Sequence, residues 1–180
     1  MADVTQEAGL SLGIVNLHFQ SKDKLLVETL RFISDDYFNG WRKHVIDAHE
    51  TAVDRMSALI EHDFSRRVCN PNYLALWFAF WGESKSRPTY RRICSVHDRE
   101  CKLMLDDICQ SLIEVENRTD LDADVISTTY QSLVDGLWLD RLIIPEELTL
   151  EKAKLVCRAY FLNLFPKQFT ERFAPGSPTQ

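Results

Sequence analysis

Val4-Thr-Gln-Glu-Ala-Gly-Leu-Ser-Leu-Gly-Ile-Val-Asn-Leu-His-Phe-Gln-Ser-Lys-Asp-Lys-Leu-Leu26 is the stretch on which the fold turns. Val4, Ala8, Leu10, Ile14, Val15 and Phe19 form two short apolar sets separated by Gly9-Leu10-Ser11. Glycine after a helical turn permits the left-handed C-cap conformation, and serine then caps the next helix. This is the layout of a helix-turn-helix, whose second helix lies in the major groove of DNA. Gly13, early in that helix, costs about 1 kcal/mol of propensity against alanine. A glycine there points to close approach of another group, such as a phosphate backbone.

Downstream, Leu26, Leu30, Ile33, Tyr37, Trp41 and Val45 recur three or four apart and predict a long helix with one apolar face. Ser21 suits its N-cap, and Asp23 sits near the positive end of its dipole. A helix carrying Val53, Met56, Leu59, Ile60 and Phe64 follows and ends before Asn70-Pro71. The next holds Tyr73 to Ser86. Pro88 then opens a long one through Ile93, Val96, Leu103, Leu105, Ile108, Leu112 and Val115. After the polar run Asn117 to Asp124 come helices at about Asp124 to Ile143 and Thr149 to Phe165, with Pro166 at the end. No period-2 strand and no internal repeat is visible.

The composition agrees with an all-α chain. Across 180 residues, 45% are hydrophobic and 27% charged, which is globular, while six glycines and six prolines are too few for a sandwich or barrel. No apolar run reaches the roughly 20 residues that span a bilayer, and the N-terminus lacks a signal peptide's pattern. Five cysteines without a C-x-x-C pair read as thiols in a reducing, cytoplasmic compartment. The net charge of −6 is not the balance of a stand-alone nucleic-acid binder.

The stretch Val4 to Leu26 resembles the DNA-binding signature of the TetR family of bacterial repressors. The shared pattern is a hydrophobe before Ala8-Gly9, then hydrophobe-Ser-x-Gly, a His18-Phe19 pair, and Lys22-Asp-Lys-Leu-Leu26. The resemblance implies that Ser11, Leu12, Gly13, Asn16 and His18 lie on or start the recognition helix. It places Lys22 on a phosphate, beside the backbone amides of a helix N-terminus. Most members have tyrosine where this chain has Asn16; the choline-responsive BetI branch tolerates a small polar residue there. Met1 falls at the opening of the family's second helix, so the first, often basic, is expected to be missing. Its absence would remove packing from Val4, Ala8 and Val15 and weaken DNA binding. The implied organisation is a partial helix-turn-helix head at 1–24, a ligand-binding and dimerisation bundle at 25–168, and a flexible tail at 169–180.

Tyr73, Trp77 and Trp81 stand four apart, and Tyr130, Asp135 and Trp138 recur on a later helix. The strings Trp77-Phe-Ala-Phe-Trp-Gly-Glu83 and Asp135-Gly-Leu-Trp-Leu139 resemble the C-terminal domain of BetI-like regulators. Tryptophan faces attract a cation that cannot hydrogen-bond, at about 0.5–2 kcal/mol per contact. A carboxylate, from Glu83 or Asp135, would complete a cage for choline or a related quaternary ammonium. The same spacing suits plain core packing. Small Ser132 and Gly136, with the apolar face of Val156, Cys157, Tyr160, Phe161 and Leu164, suit a homodimer; the family pattern then implies a four-helix interface and a palindromic operator.

Other chemistry is sparse. Cys94, His97 and Cys101 share a helical spacing, but structural zinc wants a fourth ligand. The cysteines Cys94, Cys101 and Cys109 fit core positions, while His44, His49 and His62, and the run Arg91 to Lys102, read as solvated. With no H-E-x-x-H, Glu-x-x-His, phosphate loop or nucleophile elbow, neither catalysis nor a cofactor or metal is expected. Two classes remain: a ligand-responsive repressor, and a helical enzyme or metal-binding bundle whose head serves only packing.

Overall fold

The structure, a computed structural model, describes residues 2–9 and 11–173. Among them no strand occurs. The helices are α1 (Ala2–Glu7), α2 (Leu12–Phe19), α3 (Lys22–Trp41), α4 (Ala52–Asp63), α5 (Pro71–Glu83), α6 (Pro88–Glu116), α7 (Ala123–Ile143), α8 (Leu150–Leu164) and α9 (Pro166–Phe173). A single π turn, Arg42–Ile46, continues α3.

Local chemistry sets most boundaries. Ser11 accepts from the Ile14 amide at 3.2 Å and Ser21 from Lys24 at 3.1 Å, satisfying donors that a helix N-terminus leaves free. Thr149 does the same for Lys152 at 3.1 Å. Gly9 adopts φ +64°, the left-handed conformation that its place after α1 calls for. Asn70 caps α5 through the Asn72 amide at 2.9 Å, and Pro71 fills its first turn. That helix therefore starts two residues earlier than Tyr73, and Phe64 to Cys69 turn rather than extend α4.

The end of the chain departs from expectation. Pro166 does not stop the fold; it opens α9, since proline's missing N–H is harmless at a first helical position. Phe165 and Phe169 are both fully buried, and Phe169 stacks on Phe161 at 5.7 Å. The Gln168 amide donates to Glu116 Oε1 at 2.9 Å. Residues 169–173 thus belong to a helix and not to a flexible tail; residues 174–180 lie outside the described residues.

Burial divides into two clusters. The larger joins α4, α6, α7, α8 and α9, with Met56, Ile60, Leu112, Tyr130 and Phe161 at its centre. The smaller joins α3, α5 and α6 through Leu30, Ile33, Trp77, Phe80 and Tyr90. Tyr37 and Trp81 pack against both, and the seam they mark is where the candidate site opens. All five cysteines are free thiols; Cys101 is half-buried and the others are buried.

Candidate functional site

Five helices meet at the seam around a cavity of about 70 Å³. Since about 10–15 Å³ of such space holds one water, the cavity suits a small molecule and not a drug-sized one. The walls are aromatic: Tyr37 and Trp41 from α3, Trp77 and Trp81 from α5, and Tyr130 and Trp138 from α7. Tyr37 stands edge-on to Trp138 at 5.7 Å and to Trp77 at 6.2 Å, and Trp77 and Trp81 are 5.7 Å apart. Such geometry fixes where the ring faces point.

Three carboxylates join these walls: Asp63 from α4, Asp98 from α6 and Asp135 from α7. Asp63 Oδ1 accepts from the Tyr37 phenol at 2.7 Å and Oδ2 from the Tyr130 phenol at 2.8 Å. Its backbone carbonyl accepts from Trp138 Nε1 at 2.9 Å. Burial pushes the Asp63 carboxyl up to about 7, against the pull of the two phenols. Burial also raises Asp98 and Asp135, each to about 6, with Asp98 adding to the effect on Asp135. Among the described residues no lysine or arginine lines the cavity. His97 reaches the lining from α6, stacks on Phe38 at 4.3 Å and places Nε2 2.7 Å from Asp35 Oδ1 of α3.

At the other end of α3, the head presents a mixed surface, on which Ile14 is 46% and Leu17 78% exposed. Ser11, Gly13, Asn16 and His18 are exposed along α2, and Lys22 is exposed as the first residue of α3. A Cβ at Gly13 would meet Ser11 Oγ at 3.8 Å, an ordinary contact, so nothing within the described chain demands glycine there. The side chain of Leu12 lies outside the described residues.

Residues 52–166 match the family described as BetI-type transcriptional repressor, C-terminal. The chain belongs to that family. Among its relatives, an HTH-type transcriptional regulator BetI 1 of Chromohalobacter salexigens is 26% identical over 160 residues, spanning 89% of this chain and 77% of that protein. A BetI of Vibrio parahaemolyticus is 29% identical, spanning 87% and 77%. A crystal structure of a transcriptional regulator from Pseudomonas aeruginosa PAO1 superposes with a TM-score of 0.77 at 29% identity, covering 94% of this chain and 81% of that one. The ketosteroid regulator KstR2 of Mycobacterium tuberculosis, at 23% identity and a TM-score of 0.66, shares the fold. The chain is a TetR-family DNA-binding transcriptional repressor with a BetI-type C-terminal domain. The match favours the regulator over a helical enzyme or metal-binding bundle.

Within this BetI-type frame, five of the six residues expected to meet a ligand line the one cavity: Trp77, Trp81, Tyr130, Asp135 and Trp138. Glu83 does not. It lies at the end of α5, 56% exposed, with Oε2 paired to Arg87 Nε at 2.7 Å. Two residues beyond Trp81 is a rotation of about 200° around a helix, which carries Glu83 to the far side. Asp63 and Tyr37 were missed as site residues, although a carboxylate between Leu59, Ile60 and Phe64 on an apolar face was a usable signal. His62 is not solvated: it is half-buried beside Tyr37 at 5.3 Å, and burial lowers its pKa to about 4. The run Arg91 to Lys102 is wet on one face only, since Cys94 is buried and His97, Asp98 and Cys101 line the cavity. Among the described residues no cluster of three or more His, Cys, Asp or Glu is placed to hold a metal.

Proposed function

We propose that this repressor is released from its operator by a small organic cation, choline or a related quaternary ammonium, held in the cavity between α3, α4, α5, α6 and α7. The observation that carries the reading is an aromatic cavity with three carboxylates and no basic lining residue other than His97. Tryptophan and tyrosine faces stabilise a cation that has no N–H to donate, and the carboxylates supply its counter-charge. Trp77, Trp81, Trp138 and Tyr130 form the walls and Asp135 a rim charge; Glu83, paired to Arg87, takes no part.

The head, residues 1–24, reads the operator through α2, with Ser11, Leu12, Gly13, Asn16 and His18 near the groove and Lys22 on a phosphate. The bundle that follows, from residue 25 through α9, binds the effector and dimerises. The partner is a second copy, and the operator is palindromic to match its two-fold axis. Exposed Val125, Leu139 and Ile143 on α7 with Leu155, Val156 and Leu162 on α8 favour that interface. Cys157 and Phe161 are fully buried in the chain's own core and are not available to it. A repressor of bacterial operators works in the cytoplasm; no helix among the described residues is long and apolar enough to cross a membrane.

Fluorescence anisotropy on promoter DNA, at two salt concentrations and with millimolar choline, tests both halves. Sequence-specific, salt-sensitive binding lost on adding choline is the expected outcome. Specific binding unmoved by choline and by tetramethylammonium would discard the effector class and keep the repressor.

A further inference from the structure

Asp63 ends α4 at the floor of the cavity. It is 2% exposed, and among the described residues its carboxylate oxygens accept only from the neutral phenols of Tyr37 and Tyr130. The titratable groups around it are Tyr37 from α3, Cys101 from α6, Tyr130 and Asp135 from α7, Cys69 from the turn after α4, and Cys157 from α8. None of these carries positive charge, and His62, the residue before Asp63, packs on Tyr37 at 5.3 Å and is held neutral near pH 7 because burial lowers it to about 4. His97 is the one lining group able to become cationic, and its Nε2 already faces Asp35 at 2.7 Å. The end of α4 also presents the negative pole of its dipole, the wrong pole for a carboxylate. A carboxylate buried without a counter-charge is strongly disfavoured as the anion. Asp63 therefore stands poised between acid and anion near neutrality, pushed up to about 7.

We propose that Asp63 is the charge-selecting residue of the effector site: it distinguishes a small organic cation from a neutral molecule of the same shape by supplying the buried counter-charge. A positive charge brought against the aromatic walls takes the place of the proton on Asp63. Water reaches Asp98 and Asp135, each partly desolvated, far more than it reaches Asp63, so both are better screened and discriminate less. The proposal rests on the small-cation reading above and names the residue that enforces it. Asp63 also links the ligand to α3, because Tyr37 lies on that helix and donates to it.

The test uses the full chain and two matched pairs of probes: choline against neutral 3,3-dimethylbutan-1-ol, and ethanolammonium against propan-1-ol. Binding is read by tryptophan fluorescence and by melting temperature, in the native chain, Asp63→Asn and Asp135→Asn. The native chain should favour a cation over its neutral partner by at least about tenfold, and Asp63→Asn should bring that ratio close to one. Asp135→Asn should keep most of it. A preference that survives in Asp63→Asn overturns the proposal and leaves the small-cation reading standing. If choline is silent but ethanolammonium shows the Asp63-dependent preference, the quaternary reading falls and the proposal stands. If no cation binds, both fall. Should Asp63→Asn not fold, the native chain still decides. Its preference for the cation should grow between about pH 6.5 and 8 as Asp63 ionises, and the same rise should persist in Asp98→Asn, Asp135→Asn and His97→Gln, which remove the other titratable carboxylates and the imidazole of the lining. A flat ratio across that window overturns the proposal.

Discussion

Single residues carry opposite kinds of weight here. Ser11 and Ser21 each hold one amide at the start of a helix. Replacing either by alanine should cost about 1 kcal/mol in denaturant unfolding without altering the cavity. Asp63 works the other way. Its folded-state pKa, about 7, lies above the ordinary carboxylate value, so the folded chain binds a proton that the unfolded chain has released. The stability that Asp63 contributes is complete below about pH 4 and declines as pH rises to about 7. His62, lowered to about 4, has the opposite slope across an overlapping window, so only a difference measurement isolates Asp63. The stability gap between Asp63→Asn and the native chain should therefore widen in the variant's favour from pH 4 to 7 and then level. A gap that does not change with pH would mean Asp63 is ionised throughout. Residues such as Ser11, Ser21 and Thr149 were legible because a cap acts on an amide three positions away. The apolar face around Asp63 marks it as buried, but its partners were not legible, because Tyr37 and Tyr130 are 26 and 67 residues distant and only the fold assembles them.

At the scale of elements, periodicity was a good guide to helices and a poor guide to their ends. The apolar face running through Leu30, Ile33 and Trp41 is buried as its spacing implies. Trp77, Trp81 and Trp138 converge on one cavity, which three-to-four spacing on two separate helices could suggest but not require. What spacing concealed was α9, because a proline after a helix reads as a terminator until the next turn is seen to continue from it. Phe169→Ala should cost about 3–5 kcal/mol, the usual range for emptying a fully buried phenylalanine position. Urea unfolding measures it. A cost below about 0.5 kcal/mol, as for an exposed site, would mean that the segment does not pack as α9.

For the molecule as a whole, the two proposed sites stand at opposite ends of α3, with Lys22 at its start and Trp41 on the cavity. A second tie runs alongside: Arg87, just before α6, places Nη1 3.0 Å from Asp23 Oδ1 in the first turn of α3. Exposed ion pairs add little to stability, so Arg87→Ala should leave the melting temperature within a degree or two. The tie joins the base of the head to the ligand bundle. On the effector reading proposed above, its loss should shift the choline concentration that releases DNA while leaving choline affinity unchanged. Equal shifts in both would show that Arg87 acts on binding and not on the coupling between sites. Leu155→Glu on the exposed face of α8 should convert a dimer to monomer in sedimentation and weaken operator binding with it.

The five free thiols make the chain its own reporter of opening. Burial pushes Cys94 up to about 11 and Cys69, Cys101, Cys109 and Cys157 up to about 12, so almost none is present as the reactive thiolate at pH 8. An aromatic disulfide reagent should therefore modify the native chain slowly, each modification marking a transient excursion from the packed state. Cys101 alone among them lines the cavity. Its labelling rate, set against the other four, would register occupation of the cavity by a molecule that gives no optical signal of its own.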